Sequence, residues 1–282
     1  MRRGGGPGAL APRADRRLPA PTPCERAVTA AALSGARSGR PAVAAPTGFR
    51  RRSGGSRAAT THDGVEVRGV QVFRDRDDAG EQLAERVREL GLRDPVVLAL
   101  PRGGVPVGAV VAERLGAPLD VTVVRKIAVP DFPETAVGAV TAEGAPIMNP
   151  KLSRMVRADQ DELARSAEEE RAEARRRVAA YRGDRPAPQV AGRDVVVVDD
   201  GLATGMSARA ALSSLAEQGA ASVTLAVPVC SPDAARDLED VCDRVVCVLS
   251  PPQFQAVSLW YERFPQIDDT EVQELLRRAG VA

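Results

Sequence analysis

The stretch VVVVDDGLATGMS, residues 195–207, decides the fold of this chain. Four consecutive valines predict a strand that is buried on both faces, as in a parallel sheet. Two acids, Asp199 and Asp200, follow the strand, and a turn rich in glycine and hydroxyl side chains then leads into a predicted helix. Because glycines let backbone amides point inward and a helix N-terminus adds positive potential, this turn is predicted to bind an anion. A capped helix whose dipole is complemented by two acids is the alternative.

Outward from this stretch, apolar runs of strand length alternate with segments of helical periodicity from Val65 onward. The pattern predicts strands at 69–73, 95–100, 120–124, 194–199, 222–227 and 244–249, and helices at 79–90, 103–115, 150–181, 206–218, 232–238 and 269–279. The helix at 150–181 is expected to be charged nearly all round. Residues 127–148, which are rich in proline and glycine, are expected to form a hairpin or a flexible loop. Such alternation predicts an α/β fold with a parallel sheet and helices on both faces.

Residues 1–64 form an Arg-, Pro-, Gly- and Ala-rich tail that is predicted to be disordered, and residues 65–282 are predicted to form the folded domain. Residues 1–60 hold twelve arginines and two acids, a charge of about +10, which leaves about −9 for residues 61–282. A transit peptide and an untranslated stretch are alternatives that the composition leaves open. An acidic folded part has no general attraction to nucleic acid, so a nucleic-acid partner is not expected.

The cysteines and the single histidine, His62, argue against a zinc site. Cys24, Cys230, Cys242 and Cys247 include no CxxC pair, and no histidine cluster accompanies them. We interpret the cysteines as core residues of a reduced, cytoplasmic protein. No apolar run approaches the ~20 residues that are needed to cross a bilayer, so no membrane segment is expected.

A second candidate loop, LPRGGVPVG at residues 100–108, follows the strand predicted at 95–100. Arg102, Gly103 and Gly104 offer one guanidinium and exposed backbone amides, which suit a diphosphate group. A plain strand-to-helix turn with a surface arginine is the alternative. In an open parallel sheet, ligands bind beyond the carboxyl ends of the strands, where both loops are predicted to lie.

The stretch at 195–207 resembles the motif with which type I phosphoribosyltransferases bind 5-phosphoribosyl-1-diphosphate (PRPP): an apolar strand, two acids and a turn of the form xxTGxS. The resemblance implies that Asp199 and Asp200 face the ribose hydroxyls. It also implies that the turn wraps the 5-phosphate, with the candidate residues Gly201, Ala203, Thr204, Gly205, Met206 and Ser207.

The same resemblance assigns the diphosphate leaving group to other residues. The loop at 100–108 resembles the family's diphosphate loop, which implies contacts from Arg102, Gly103 and Gly104. Arg125 and Lys126, in VVRKIAVP, stand where the family carries basic residues, although either is equally typical of a solvated strand end. Residues 127–148 correspond to the closing loop. The candidate catalytic residues implied by the resemblance are Asp199, Asp200, Lys126 and Glu134, and for Glu134 a structural ion pair is the alternative to proton transfer.

The resemblance extends from about Val70 to Val272 through FRDRDDAGEQLA, ALPRGGVPVG, VRKIAVP, YRGDRP and FQAVSLWYERF. These segments are similar to a bacterial phosphoribosyltransferase-like group of unknown acceptor. The resemblance implies the type I phosphoribosyltransferase fold with a small hood, Mg²⁺ as cofactor, and a homodimer. Residues 250–282 are expected to form a C-terminal segment that belongs to the hood or packs on the core. It further implies transfer of a phosphoribosyl group from PRPP to a small-molecule acceptor, a nitrogenous base, with release of diphosphate. A non-catalytic module that senses PRPP or a nucleotide, and a purely structural module, are the alternatives.

Overall fold

The computed structural model describes residues 72–129, 132–156 and 159–279, without the side chains of residues 132–134 and 150. The predicted tail, residues 1–64, and most of the predicted strand at 69–73 lie outside these ranges. In chain order the elements are α1 (Arg76–Arg88), β1 (Val96–Ala99), α2 (Gly104–Leu115), β2 (Leu119–Val121), β3 (Val124–Val129), β4 (Phe132–Thr141), β5 (Ile147–Met148), α3 (Pro150–Met155), α4 (Gln160–Arg182), β6 (Asp194–Val198), α5 (Met206–Glu217), β7 (Ser222–Val229), α6 (Pro232–Arg236), β8 (Arg244–Leu249), a 3₁₀-helix (Val257–Trp260) and α7 (Asp269–Ala279).

Five strands form one parallel sheet in the order β2-β1-β6-β7-β8. From β1 the chain continues through α2 to β2 on one side, and from β6 it continues through α5 to β7 on the other. The direction of winding therefore reverses between β1 and β6, which are direct neighbours. Open α/β sheets bind ligands at the carboxyl ends of such a strand pair. The predicted α/β fold with a parallel sheet is confirmed.

Helices cover both faces of this sheet because the residues of each strand alternate between two apolar cores. Val196 and Val198 point into the core that contains α1, α2 and α7, whereas Val195 and Val197 point into the core that contains α5. All four valines are fully buried. Burial of one such side chain contributes about 1.5–3 kcal/mol. A strand that is buried on both faces needs no polar residue in its interior, which explains the four consecutive valines.

Strands β3, β4 and β5 form a second, antiparallel sheet, in which β3 and β4 are the two arms of a hairpin. This sheet shares an apolar core with α4. Thr141 of β4 also donates a hydrogen bond to Ser214 of α5, with an oxygen–oxygen distance of 2.9 Å. The composition of residues 127–148 predicts either a hairpin or a flexible loop. In the structure, β3 and β4 pair in antiparallel orientation, as the arms of a hairpin do.

The prediction of one helix at 150–181 is wrong, because the structure has two helices, α3 and α4. Asn149 caps α3, and its side chain accepts two hydrogen bonds from backbone amides of the first turn. Asp159 caps α4 in the same way, accepting from the amides of Asp161 and Glu162. A capping side chain satisfies the amides at the start of a helix, so the second cap defines the start of a second helix. Among the described helices, none has the length and apolar character to span a bilayer.

The described part of the C-terminal segment, residues 250–279, lies in two environments. Helix α7 belongs to the main core, where Val272 and Leu276 are fully buried. The part that precedes α7 lies over the loop after β6: a Cβ built on Gly201 would lie 2.5 Å from Cγ1 of Val257. Both parts reach candidate residues, because Val257 packs against Gly201 and Asp269, at the start of α7, lies 3.8 Å from Arg102.

Asp120 of β2 is a buried acid that ties the edge strand to α4. It is 2% exposed, and its Oδ2 accepts a hydrogen bond from Nε of Arg182 at 2.8 Å. Nη2 of Arg185 lies 3.9 Å from the other carboxylate oxygen. Loss of one partner from a buried ion pair is costly because the remaining charge is left in a poorly solvated place.

We expect Arg182→Gln to lower the free energy of unfolding by about 3 kcal/mol, because Asp120 then stays buried without its charged partner. Urea denaturation followed by circular dichroism measures the change. Arg176→Gln removes an exposed arginine from the same helix and is the matched control, whose unfolding midpoint should stay at the wild-type value. Equal midpoints for the two variants would mean that Asp120 is compensated by other groups.

Candidate functional site

The loop after β1 and the loop after β6 are in contact where the winding of the sheet reverses. A Cβ built on Gly103 would lie 2.0 Å from Oδ2 of Asp200. A Cβ built on Gly104 would lie 2.6 Å from the carbonyl oxygen of Val198 and 2.8 Å from Cα of Asp199. Neither position accommodates a side chain unless the two acids move. The structure therefore brings the two predicted loops together, and glycine at both positions permits the contact.

The turn after the two acids is fixed at its centre and exposed at its outer edge. Leu202 is buried, and its backbone amide donates to the carbonyl oxygen of Val229 at 2.9 Å. Gly205 has a φ of +76°, in the left-handed region that glycine adopts without strain. It caps α5 without a side chain, so the first-turn amides of α5 can bind an anion. The predicted phosphate-binding residues lie on this turn or at the start of α5: Gly201, Ala203, Thr204, Gly205, Met206 and Ser207.

Asp199 and Asp200 are adjacent carboxylates in a site that disfavours their charged forms. Burial, and then repulsion from Asp200, raise the pKa of Asp199 well above its ordinary value. The backbone amide of Asp200 opposes this shift by donating to Oδ1 of Asp199 at 2.8 Å. Burial also raises the pKa of Asp200, although the guanidinium of Arg76 opposes the effect. Perturbed acids of this kind are characteristic of functional sites.

Arg76, the first residue of α1, contacts this site although no sequence motif singled it out. Its Nε and Nη2 both donate to Oδ2 of Asp200, at 3.0 and 2.8 Å. The sequence does carry a signal for this contact. Arg76 lies on the same helix face as Ala79, Leu83 and Val87, which are fully buried. Because an arginine on an apolar helix face is rarely buried unless it is paired, its position predicts a buried acidic partner.

Arg102 lines a cavity of about 220 Å³ together with Arg177 of α4. One of its terminal nitrogens lies 3.8 Å from Oδ1 of Asp269, at the start of α7, and the hydroxyl of Tyr181 donates to the same oxygen at 2.7 Å. Burial and this hydrogen bond raise the pKa of Tyr181 to about 12. The side chain of Arg102 is 47% exposed, so a ligand can reach it from solvent.

The candidate residues of the hairpin have different environments. Arg125 and Lys126 are neighbours on β3, and successive residues of a strand point to opposite faces. Nε of Arg125 donates to a carboxylate oxygen of Glu170 at 2.7 Å, which directs Arg125 towards α4. Lys126 is exposed, so it is the better placed of the two to meet a ligand. Glu134 belongs to β4, but its side chain lies outside the described residues.

A carboxylate pair beside an anion-binding turn suits a phosphorylated sugar. Carboxylates accept hydrogen bonds from hydroxyl groups, while backbone amides and guanidinium groups donate hydrogen bonds to phosphate groups. In the described parts of the chain, no cluster of three or more His, Cys, Asp or Glu is arranged to hold a metal ion. Mg²⁺ that is bound through a substrate diphosphate needs no such cluster, because it keeps several waters and takes its other ligands from the phosphates.

Residues 74–261 match the family model described as "Phosphoribosyl transferase domain". Two curated proteins of Mycobacterium tuberculosis, from strains CDC 1551 / Oshkosh and ATCC 25618 / H37Rv, carry names that provisionally designate them phosphoribosyl transferases. Each is 42% identical to this chain over 210 residues. The match covers 74% of this chain and 47% of each relative, so the chain spans about half the length of these curated proteins.

A solved structure with the same architecture is the crystal structure of TT1426 from Thermus thermophilus. That protein is 46% identical in sequence to this chain and superimposes with a TM-score of 0.65. The likeness covers 73% of this chain and 98% of the Thermus chain. The α/β domain described above is therefore shared almost in full.

We expect Asp199→Asn to raise the melting temperature at pH 8, because it removes a charge that the fold disfavours. An acid whose pKa is raised on folding binds its proton more tightly in the folded state, so its destabilising effect is absent at low pH and grows as the pH rises through the folded-state pKa. Asparagine keeps Oδ1 as the acceptor for the amide of Asp200. The gain should therefore disappear as the pH falls towards 4 in a series of thermal denaturation curves.

The control for this prediction is Asp161→Asn, which removes an exposed acid from the start of α4. No comparable gain at pH 8 is expected for that variant. A melting temperature of Asp199→Asn that is equal to or below the wild-type value at pH 8 would contradict the raised pKa of Asp199.

Proposed function

Because the chain belongs to the phosphoribosyltransferase family, we propose that it binds PRPP with Mg²⁺ and transfers the phosphoribosyl group to a nitrogenous base. Diphosphate is the second product. The observation that carries the proposal is the contact between Gly103 of the diphosphate loop and the carboxylate of Asp200. This contact supports a single site in which one loop binds the leaving group and the other binds the sugar phosphate.

The proposed roles follow from the chemistry of each group. Asp199 and Asp200 accept hydrogen bonds from the ribose hydroxyls, and residues 203–207 bind the 5-phosphate at the start of α5. Arg102 and Lys126 bind the diphosphate. Stabilisation of the departing negative charge, together with alignment of the acceptor, then accelerates displacement at C1 of the ribose. Glu134 stays our candidate for proton transfer from the acceptor.

Mg²⁺ would neutralise charge on the diphosphate as the bond to C1 breaks. We propose that it binds together with PRPP and has few direct protein ligands. The protein groups orient the substrate around it: the two acids fix the sugar, and the glycine loop and Arg102 fix the leaving group. The hairpin at 127–148 is proposed to exclude water, which otherwise competes with the acceptor for PRPP.

The proposal extends to the state of the protein in the cell. We propose a cytoplasmic location and a homodimer, without a nucleic-acid partner. These assignments concern the domain at residues 72–279. The activity of the longer curated relatives is a separate question because this chain spans about half of their length.

We expect the double variant Asp199→Asn, Asp200→Asn to bind PRPP roughly a hundredfold more weakly than the wild-type protein, because each hydrogen bond to a charged group contributes about 1.5–3 kcal/mol. Isothermal titration with PRPP and Mg²⁺ measures the affinity. The matched control is Asp161→Asn, Glu162→Gln on α4, which changes the net charge equally outside the site. If the site variant binds PRPP as tightly as this control, the two acids do not hold the sugar.

Release of diphosphate separates an enzyme from a sensor. The wild-type protein is incubated with PRPP, Mg²⁺ and a panel of purine, pyrimidine and other nitrogenous bases, and diphosphate is quantified enzymatically. Release that depends on one base supports the transferase and identifies its acceptor. Tight PRPP binding without release for any base supports the sensor instead.

We expect Asp269→Asn to tighten the binding of inorganic diphosphate by about two- to fivefold, the range that corresponds to loss of an exposed ion pair of up to about 1 kcal/mol. The substitution releases Arg102 from its acidic partner and removes a negative charge from the cavity. Titration calorimetry with diphosphate and Mg²⁺ measures the change. Glu271→Gln removes the same charge from the same helical turn and should leave the affinity nearly unchanged. Equal gains in both variants would indicate a long-range charge effect alone.

A further inference from the structure

Arg76 is a buried cation of the described site whose guanidinium makes both hydrogen bonds and a contact with an aromatic ring. The residue is 7% exposed, and its guanidinium makes contacts on three sides. Two of its nitrogens donate to Oδ2 of Asp200, and the third, Nη1, donates to the carbonyl oxygen of Pro265 at 2.8 Å. The carbon at its centre lies 3.8 Å from the centroid of the Phe264 ring. A flat guanidinium held by three hydrogen bonds and one ring has very little freedom to rotate away.

The two oxygens of the Asp200 carboxylate are therefore not equivalent. Oδ2 receives both hydrogen bonds from Arg76, and it also faces the backbone of Gly103, where a Cβ would approach it to 2.0 Å. Oδ1 would lie 3.1 Å from that same Cβ position. The first oxygen is enclosed between α1 and the diphosphate loop. Among the described side chains, Arg76 donates to Oδ2 and not to Oδ1, so Oδ1 keeps its acceptor capacity for a ligand.

We propose that Arg76 is a positioning residue: it fixes Oδ2 of Asp200 so that Oδ1 accepts a hydrogen bond from a hydroxyl group of the bound sugar phosphate. This inference rests on the proposed function and adds to it a residue 124 positions away in the sequence. Arg76 itself does not touch the sugar. Its contribution is to keep the carboxylate ionised in a partly buried place and to restrict it to one orientation.

The groups that face Asp200 come from four parts of the described structure. Arg76 faces it from α1, and Asp199 precedes it at the end of β6. From the C-terminal segment, the hydroxyl of Tyr261 donates to the backbone carbonyl oxygen of Asp200 at 2.6 Å. Burial and the nearby Asp200 raise the pKa of Tyr261, which keeps this hydroxyl protonated. The diphosphate loop contributes the backbone of Gly103. Arg76 is thus the positive charge that balances the two acids.

The experiment compares the wild-type protein with Arg76→Met and Arg76→Lys across pH 5.5 to 9. PRPP affinity in the presence of Mg²⁺ is expected to fall on the acid side in every case as Asp200 takes up a proton. In Arg76→Met this fall should occur at higher pH, with roughly a tenfold loss of affinity at a given pH for each unit of displacement. Arg76→Lys keeps the charge without the planar fork, so its profile should lie between the other two.

A ligand-free measurement separates this inference from the proposed function. Titration of the Asp200 carboxyl carbon by NMR should give a higher pKa in Arg76→Met than in the wild-type protein. Arg182→Gln is the control, because it removes an arginine from another buried acid, Asp120, and should leave both the NMR titration of Asp200 and the pH profile unchanged. Circular dichroism establishes the temperature at which all the variants are folded.

The possible results distinguish a failure of the role of Arg76 from a failure of the proposed function. A loss of affinity in Arg76→Met that is the same at every pH, or an unchanged titration of Asp200, overturns the role of Arg76 alone. If the wild-type protein does not bind PRPP at any pH, the proposed function fails, and the role of Arg76 in sugar binding fails with it. A displaced pH profile together with a displaced titration supports both.

Discussion

The structure of the site depends on keeping two adjacent carboxylates at the end of a buried strand. Transfer of a charged carboxylate away from water is costly unless it is paired or hydrogen-bonded. Here Arg76 of α1 pairs with the carboxylate of Asp200, and the backbone amide of Asp200 donates to the carboxylate of Asp199. The hydroxyl of Tyr261, from the C-terminal segment, donates to the backbone carbonyl oxygen of Asp200. Because these groups must converge on Asp200, the acids organise the packing of α1 and of the segment before α7.

The same acids restrict what can lie beside them. The diphosphate loop approaches so closely that Gly103 and Gly104 have no room for a side chain. The two loops follow β1 and β6, which are neighbouring parallel strands, so both loops begin at the same edge of the sheet. The reversal of winding at this pair supplies the crevice, and the two glycines let the two loops approach each other closely.

The sequence predicted those parts of the fold that depend on neighbouring residues along the chain. The four valines predicted the central strand, and the glycine turn predicted the start of α5. Both predictions were possible because burial on two faces and special backbone conformations require particular residue types within a few positions of each other. The break between α3 and α4 was missed because continuous charge hides a capping acid such as Asp159. Arg76 and Asp269 were missed because their partners are supplied by tertiary contacts. Of these two, only Arg76 leaves a trace in the sequence, as a charge on an apolar helix face.

Three of the arginines around the site, Arg76, Arg102 and Arg125, differ in how readily they can exchange partners. Arg102 and Asp269 are 3.8 Å apart and largely exposed, and such a pair contributes at most about 1 kcal/mol. Arg125 and Glu170 are closer and about 70% buried. Arg76 and Asp200 are the most buried of the three pairs, and loss of one partner there would cost several kcal/mol. A polyanion entering the site can therefore take Arg102 from its partner, whereas Arg76 stays bound to Asp200. The difference in burial thus suits the exposed Arg102 to ligand binding and the buried Arg76 to positioning Asp200.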